Sequence, residues 1–167
     1  MTRYLSLDEL IYINEQMPSI SAIYKYLQGV QRVREMRLLD SAVHRPQQSA
    51  FGADAYPSLS EKAAVLLHAI ARNHPFADGN KRTATLGMLF MLETNGVQMT
   101  WDANEALERI VALAEGHTEV SEFSAWLEAL PQRQLPPRLE PDEAQDSAHI
   151  ARLISAHQWL LNELSRR

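Results

Sequence analysis

Three features of the sequence predict an all-α fold. Ser6, Ser58 and Asp102 are each followed three positions later by glutamate, which is the pattern of a helix capping box. Gly96 and Gly116 follow apolar helical stretches, where glycine commonly ends a helix. The alternation of polar and apolar residues that indicates strands is missing. We therefore expect a compact helical domain.

Composition narrows the class of protein. The 167 residues are 46% hydrophobic and 22% charged, which is typical of a globular protein with one domain and a short appendage. Without cysteine, disulfides, thiolate zinc sites and a cysteine nucleophile are excluded. A net charge of -5 without long Lys/Arg runs argues against broad nucleic-acid binding. Since no signal-like or membrane-spanning segment is evident, we expect a cytoplasmic protein that does not bind membranes.

The first third of the chain is predicted to form three helices and a loop. One helix follows Ser6, and a poorly bounded helical stretch covers residues 20–27 before Gly29 interrupts the chain. A third helix carries the apolar residues of 30–43. Residues 44–57 contain Pro, Gly and Asp, which indicates a loop that could cover a site.

The middle of the chain is predicted to form three further helices. The first begins after Ser58 and stops near His74, because Pro75 disfavours helical dihedrals in the residue before it. The second runs from about residue 80 to residue 95, and the third from about residue 103 to residue 115.

The last part of the chain is predicted to form one more helix of the domain and an extension. Thr118 would cap the helix that ends near Leu130. Residues 131–141 hold four prolines and no helical period, so we expect a catalytic domain of residues 1–130 and a linker with an amphipathic helix in residues 131–167. The apolar face of this last helix would pack on its own domain, with subunit exchange or a regulatory partner as alternatives.

The helix predicted from residue 80 to residue 95 begins with two adjacent cations. Lys81 and Arg82 lie at its N-terminus, where the helix dipole disfavours positive charge by about 0.3–1 kcal/mol per group. From Leu86 onwards the helix is apolar on most sides, as expected of a central buried helix. An anion bound at this end would be held by the backbone N–H groups, the dipole and both side chains.

The preceding loop supplies other groups that phosphate chemistry needs. Gly79 allows a positive φ or close approach to a ligand, and Asn80 could cap the helix or donate to a phosphate oxygen. Asp78 is a ligand of the type that Mg²⁺ takes beside substrate phosphates. His74 has a pKa suited to accepting a proton at neutral pH. Each residue alone is also explained by a turn or a cap, but the combination within residues 74–82 indicates a site.

This segment resembles the motif of the Fic/Doc family, and within it the Doc (death-on-curing) toxin branch. The family pattern His-x-Phe-x-Asp/Glu-Gly-Asn is matched by residues 74–80, HPFADGN, and the Doc-type continuation Lys-Arg-Thr-Ala by residues 81–84. The resemblance extends from the start of the chain to about Leu130. The other five histidines lack the spacing of zinc ligands and are interpreted as structural or surface residues.

The resemblance implies a Fic fold that uses ATP to modify a hydroxyl of a target protein. It implies that His74 is the general base, that Asp78 binds Mg²⁺, and that residues 44–57 form a flap that aligns the target. It further implies a phosphate-binding set: Gly79, Asn80, Lys81 and Arg82.

Two departures from the commoner adenylylating pattern, His-x-Phe-x-x-Gly-Asn-Gly-Arg-x-x-Arg, bear on the reaction. Lys81 stands where that pattern has its second glycine, and Thr85 stands where it has its final arginine. A lysine there adds charge and bulk to an anion-binding backbone. The resemblance to Doc toxins favours a kinase that phosphorylates a threonine or serine, with elongation factor Tu as the suspected target. AMP transfer is the alternative because Gly79 is retained, and a non-catalytic binding module is a second alternative.

Control by another protein is also implied by the resemblance. Doc-like toxins are held inactive by a cognate antitoxin, whose helix fills a groove beside the site. The inhibitory pattern Ser/Thr-x-x-x-Glu-Gly/Asn is matched only in part by residues 118–122, because Phe123 breaks it. We therefore expect an antitoxin in trans. A further hypothesis places the C-terminal helix in that groove.

Overall fold

The computed structural model describes residues 1–17 and 32–167, and within these ranges the chain is mainly helical. The described helices are α1 (Leu7–Glu15), α2 (Met36–His44), α3 (Leu59–Asn73), α4 (Asn80–Thr94), α5 (Ala103–Ala114), α6 (Val120–Ala129), α7 (Glu143–Ala156) and α8 (Gln158–Leu164). A 3-10 turn, Arg45–Gln47, follows α2. Two small antiparallel sheets pair β1 (Ser49–Ala50) with β2 (Ala53–Asp54) and β3 (Val97–Met99) with β4 (Gln132–Gln134). The predicted all-α class is confirmed.

Helix α4 forms the centre of the core. All its residues from Arg82 to Thr94 are buried, because α1, α3, α5, α7 and α8 pack around it. Its side chains are mostly apolar after the first turn, so burial is favourable on every side. The predicted central buried helix is confirmed, and only its N-terminal end, with Lys81, is open to solvent.

Local capping explains where several helices begin. Ser6 and Glu9 form both hydrogen bonds of a capping box, and the Ser58 and Asp102 side chains accept from the N–H groups of Glu61 and Glu105. The prediction that Thr118 caps α6 is wrong. The residue before α6 is Glu119, and its side chain makes no capping hydrogen bond.

The third predicted helix starts later than expected. It begins at Met36, because Val33 instead forms an antiparallel bridge with Phe76. The predicted helical stretch of residues 20–27, Gly29 and the first residues of the third helix lie outside the described residues.

Residues 131–141, predicted to be a proline-rich linker without helical structure, pack along the end of α4. Strand β4 pairs with β3, and the N–H of Leu135 donates to the carbonyl of Gly96 at 2.9 Å. The N–H of Arg138 donates to the carbonyl of Thr94 at 2.8 Å. The four prolines of this segment lie outside β4, so the strand keeps its donors.

The predicted C-terminal helix is divided in two. Its helical dihedrals stop at His157, with φ -111° and ψ 23°, so that α7 and α8 meet there. Its apolar residues are buried against the rest of the chain, as expected for a face that packs on its own domain: Ile150, Leu153, Leu160, Leu161 and Leu164. None of the helices in residues 1–17 and 32–167 has both the length and the apolar character that crossing a bilayer requires.

Candidate active site

The loop between α3 and α4 carries the predicted site residues and has a fixed backbone. His74 ends α3 in the left-handed conformation, with φ 51° and ψ 57°. Beyond Pro75 the loop runs beside residues 32–35. There the N–H of Arg34 donates to the carbonyl of Pro75 at 2.8 Å, and the N–H of Ala77 to the carbonyl of Arg32 at 2.8 Å. These hydrogen bonds to residues 32–35 therefore fix the backbone of the loop, and they orient the loop groups that face away from residues 32–35.

Asn80 holds this loop through its side-chain amide. The N–H of Phe76 donates to Asn80 Oδ1 at 2.9 Å, and Asn80 Nδ2 donates to the carbonyl of Phe76 at 2.9 Å. The Phe76 side chain is buried in the core. Asn80 is not a side-chain cap, because the cap residue of α4 is Gly79. Both Oδ1 and Nδ2 of Asn80 make hydrogen bonds within the loop, so this side chain stabilises the loop conformation.

Gly79 lies where a side chain would be crowded and would strain the backbone. Its φ of 75° is in the left-handed region, as the sequence predicts. A Cβ atom here would lie 3.3 Å from Arg82 Nη2 and 3.4 Å from Asn14 Nδ2. The missing side chain lets the first turn of α4 and helix α1 approach the loop closely.

Asn14 is a site residue that sequence reasoning missed. Its side chain, on α1, is buried, and its Nδ2 donates to the carbonyl of Asp78 at 2.9 Å and to Thr83 Oγ1 at 3.0 Å. Arg32 Nη1 in turn donates to Asn14 Oδ1 at 3.2 Å. One signal was available, because Asn14 interrupts the apolar stripe of α1 at a position that faces the core.

The two cations at the start of α4 have different environments. Arg82 is 5% exposed, and its Nη2 lies 3.8 Å from Asp78 Oδ2. Lys81 is partly exposed, and its Nζ donates to the carbonyl of Arg167 at 3.4 Å. Arg82 is therefore fixed beneath the loop, whereas the Lys81 side chain can change its position at the edge of the loop.

His74 is surrounded by positive charge. Partial burial is the main factor that lowers its pKa, and Lys81, Arg34 and Arg72 lower it further. Arg34 also donates to the carbonyl of His74 from Nη2 at 2.6 Å. At neutral pH the imidazole is therefore mainly neutral and can accept a proton.

These residues line one cavity of about 250 Å³. Its walls contain every predicted site residue, and the end of α8 with the residues after it supplies the rest of the lining. The lining residues are His74, Ala77, Asp78, Gly79, Asn80, Lys81, Arg82, Leu164, Ser165 and Arg167. The contribution of residues 164–167 was not predicted.

The donor set of the cavity fits a magnesium ion that accompanies phosphates. The Asp78 side chain is 30% exposed and lines the cavity with one carboxylate. No group of three His, Cys, Asp or Glu side chains suited to a metal occurs within residues 1–17 and 32–167. Mg²⁺ commonly binds through one or two carboxylates and takes its other ligands from phosphates and water, which suits this arrangement.

Residues 44–57 contain a short β-hairpin. Strands β1 and β2 are joined by Phe51 and Gly52, both with positive φ. The Phe51 side chain is fully exposed. The hairpin is fixed to α3 by Lys62, whose Nζ lies 3.3 Å from Asp54 Oδ2 and also donates to the carbonyl of Tyr56.

Comparisons with known proteins identify relatives of this chain. The chain is 53% identical over 74 residues to Toxin Doc of Mycolicibacterium smegmatis, covering 44% of this chain and 57% of that protein. It is 42% identical over 72 residues to Protein kinase doc of Escherichia phage P1, covering 43% of this chain and 56% of that protein. The chain thus spans just over half the length of these curated relatives. The sequence profile of the Fic/DOC family matches residues 4–92, more than half of the chain, and the chain belongs to the Fic/DOC family.

Proposed function

We propose that this protein is a Doc-like toxin that transfers the γ-phosphoryl group of ATP to a threonine or serine hydroxyl of a target protein. The observation that carries the proposal is the cavity at the start of α4, which His74, Asp78, Lys81 and Arg82 line together. Two relatives support it, because one is named a toxin and the other a protein kinase.

The residues suit a direct transfer. The backbone of Gly79 and the side chains of Lys81 and Arg82 would bind the phosphates at the helix N-terminus. Asn80 would keep these phosphate-binding groups in position, because its side chain stabilises the loop through two hydrogen bonds to Phe76. Mg²⁺, bound with the nucleotide at Asp78, would neutralise phosphate charge. The target oxygen would form a bond to the γ-phosphorus while the bond to the β,γ-bridging oxygen breaks. The hydroxyl proton would pass to an imidazole nitrogen of His74, and ADP would leave.

The first turn of α4 favours a kinase over an AMP transferase. Lys81 lines the cavity where the adenylylating pattern has glycine. Thr85, which replaces the final arginine of that pattern, is fully buried and donates from Oγ1 to the carbonyl of Lys81 at 2.8 Å. Position 85 therefore offers no cation to the phosphates. AMP transfer remains the second candidate because position 79 keeps the glycine of the adenylylating pattern.

The partners follow from the same proposal. We suggest elongation factor Tu as the target and a cognate antitoxin as the inhibitor. The exposed hairpin at Phe51 is suited to contact the target, because main-chain groups of an exposed strand can pair with an extended segment.

Labelled ATP distinguishes the candidate functions. The protein is incubated with Mg²⁺, elongation factor Tu and ATP labelled at the γ- or the α-phosphorus. Label from the γ position on the protein target supports the kinase, and label from the α position supports AMP transfer. No transfer of either label, together with measurable nucleotide binding, indicates a binding module.

A pair of variants tests the general base in the same assay. His74→Ala should lower the labelling rate about a hundredfold or more. His117→Ala removes a surface histidine whose side chain is 71% exposed and should leave the rate unchanged. Equal labelling by His74→Ala and the unmodified protein would refute the role of His74.

A further inference from the structure

The segment after α8 forms one wall of the proposed nucleotide cavity. Leu164, the last residue of α8, is buried where this helix packs against α5 and α4. Leu164, Ser165 and Arg167 all line the cavity. The packing of α8 therefore brings an arginine, far away in sequence, to the residues that we propose bind phosphates.

Arg167 lines the cavity and also forms a weak ion pair with Glu108. Its backbone carbonyl accepts a hydrogen bond from Lys81 Nζ at 3.4 Å, which places its main chain beside the first turn of α4. Its Nη2 lies 3.1 Å from Glu108 Oε1, and the two side chains are 38% and 69% exposed. Exposed pairs of this type contribute little to stability, so a more highly charged anion can replace Glu108 as the partner.

Helix α4 supplies few of the cations that a bound triphosphate needs. Position 85 holds a buried threonine, so α4 supplies the cavity with only Lys81 and Arg82. Arg82 shares its charge with Asp78, 3.8 Å away. Even with Mg²⁺ bound, a triphosphate and the Asp78 carboxylate together carry more negative charge than Lys81 and Arg82 balance, and an arginine can bind two phosphate oxygens at once.

We propose that Arg167 is a further nucleotide-binding residue of this protein, whose guanidinium leaves Glu108 and binds the polyphosphate when nucleotide enters the cavity. This inference rests on the proposed function, because it assumes that the cavity binds a nucleoside triphosphate.

The neighbouring arginine provides a matched control. Arg166 pairs with Glu163 on the exposed surface and does not line the cavity. Arg167→Ala and Arg166→Ala therefore remove the same charge at adjacent positions. The affinity for Mg²⁺ with a non-hydrolysable ATP analogue is measured by calorimetry. Arg167→Ala should weaken it by about threefold to thirtyfold, and Arg166→Ala by less than about twofold.

Glu108→Gln tests the exchange of partners. It should strengthen binding, because it removes the group that competes with phosphate for Arg167. The gain should disappear when Glu108→Gln is combined with Arg167→Ala, since the two residues would act through one another. An equal gain in both backgrounds would show that Glu108 acts only through general charge.

The remaining outcomes separate the two proposals. Equal affinities of Arg167→Ala and Arg166→Ala would overturn the role of Arg167 and leave the proposed function intact. Tighter binding by Arg167→Ala would also overturn it, because residues 165–167 would then obstruct the cavity. An unmodified protein that binds no nucleotide would overturn both proposals.

Discussion

The protonation of His74 connects the geometry of the cavity with its chemistry. Partial burial and the neighbouring Lys81 and Arg34 lower its pKa, so the imidazole should titrate below the usual value of about 6.5. As the pH falls through this lowered pKa, His74 gains a proton and can no longer act as a base. The transfer rate should therefore begin to fall at a lower pH than a histidine with its ordinary pKa would give.

The titration of His74 can be followed by NMR in the absence of nucleotide. Lys81→Gln removes the cation that lowers the His74 pKa most and should therefore raise the midpoint of the titration. A His74 midpoint at or above that of free histidine would contradict the proposed electrostatic environment.

The conformation and close contacts of Gly79 lead to a second prediction at the scale of one residue. Gly79→Ala should weaken nucleotide binding, because the new Cβ meets Arg82 Nη2 and Asn14 Nδ2 at 3.3–3.4 Å while the backbone stays at positive φ. Gly52→Ala is the matched control. Gly52 has a similar φ of 79°, but a Cβ there meets nothing within 4 Å.

Both glycine variants should lose about 1 kcal/mol or more of stability from backbone strain. Only Gly79→Ala should also lower the affinity for the Mg²⁺–ATP analogue in calorimetry. The same loss of affinity in Gly52→Ala would show that strain alone explains the effect and that the contacts beneath Gly79 are unimportant.

Sequence reasoning could find the residues of one segment better than their distant partners. His74, Asp78 and residues 79–82 were predicted because they are adjacent in the chain and their chemistry is complementary. Asn14 and Arg167 lie far away in sequence, and only the packing of α1 and α8 brings them to the loop. Asn14 could have been suspected because it is a polar residue in an apolar stripe. The residues next to it in the sequence, however, do not indicate which distant group it contacts.

At the scale of elements, the hairpin of β1 and β2 combines strain with exposure. Phe51 has a φ of 54°, which is unfavourable for an aromatic residue, and its side chain contacts solvent. Phe51→Asn would create Asn-Gly, the preferred sequence for a two-residue turn with positive φ at both positions. It should leave folding intact or stabilise it by up to about 1 kcal/mol.

The functional effect of Phe51→Asn should be confined to the target. We expect labelling of the target to fall about fivefold or more, as for loss of an aromatic contact residue, while nucleotide affinity is unchanged. Trp159→Ser removes another exposed aromatic residue, on α8, and should not affect labelling. Unchanged labelling by Phe51→Asn would mean that the target does not contact the hairpin tip.

The boundaries of elements were predictable where local chemistry sets them. Ser6, Ser58 and Asp102 cap their helices as expected, because each bond is made within one turn. The pairing of β3 with β4 was not predicted, because residues 132–134 have no strand pattern of their own and depend on a distant partner. The break at His157 was also hidden, since the apolar period continues through it.

At the scale of the whole molecule, a buried ionic network joins the start of the chain to α7. Arg3 Nη2 lies 2.6 Å from Asp146 Oδ2 and 2.8 Å from Glu9 Oε2, and Arg138 Nη1 lies 2.6 Å from Asp146 Oδ1. Arg138 also contacts His149, whose Nε2 lies 3.0 Å from Glu93 Oε1 at the end of α4. The network therefore connects α1, α4 and α7 and supports the position of α8.

Burial opposes the ionisation of Asp146, but hydrogen bonds from Arg3, Arg138 and the N–H of Asp142 outweigh it and lower its pKa. A lowered pKa means that the ionised carboxylate stabilises the folded protein. This stabilisation is complete above the pKa of the unfolded state, about 3.9, and is lost as the pH falls through the lower pKa of the folded state.

Asp146→Ala should lower the free energy of unfolding at pH 7 by about 3 kcal/mol, because Arg3, with a side chain only 3% exposed, would lose its closest carboxylate. Urea unfolding measures this change. Glu163→Ala, which breaks the exposed pair with Arg166, should cost less than about 1 kcal/mol.

Asp146→Ala should also lose less stability than the unmodified protein as the pH falls through that lowered pKa. Equal losses at neutral pH in the two variants would mean that Arg3 finds sufficient compensation in Glu9, and that the network does not hold α7 in place.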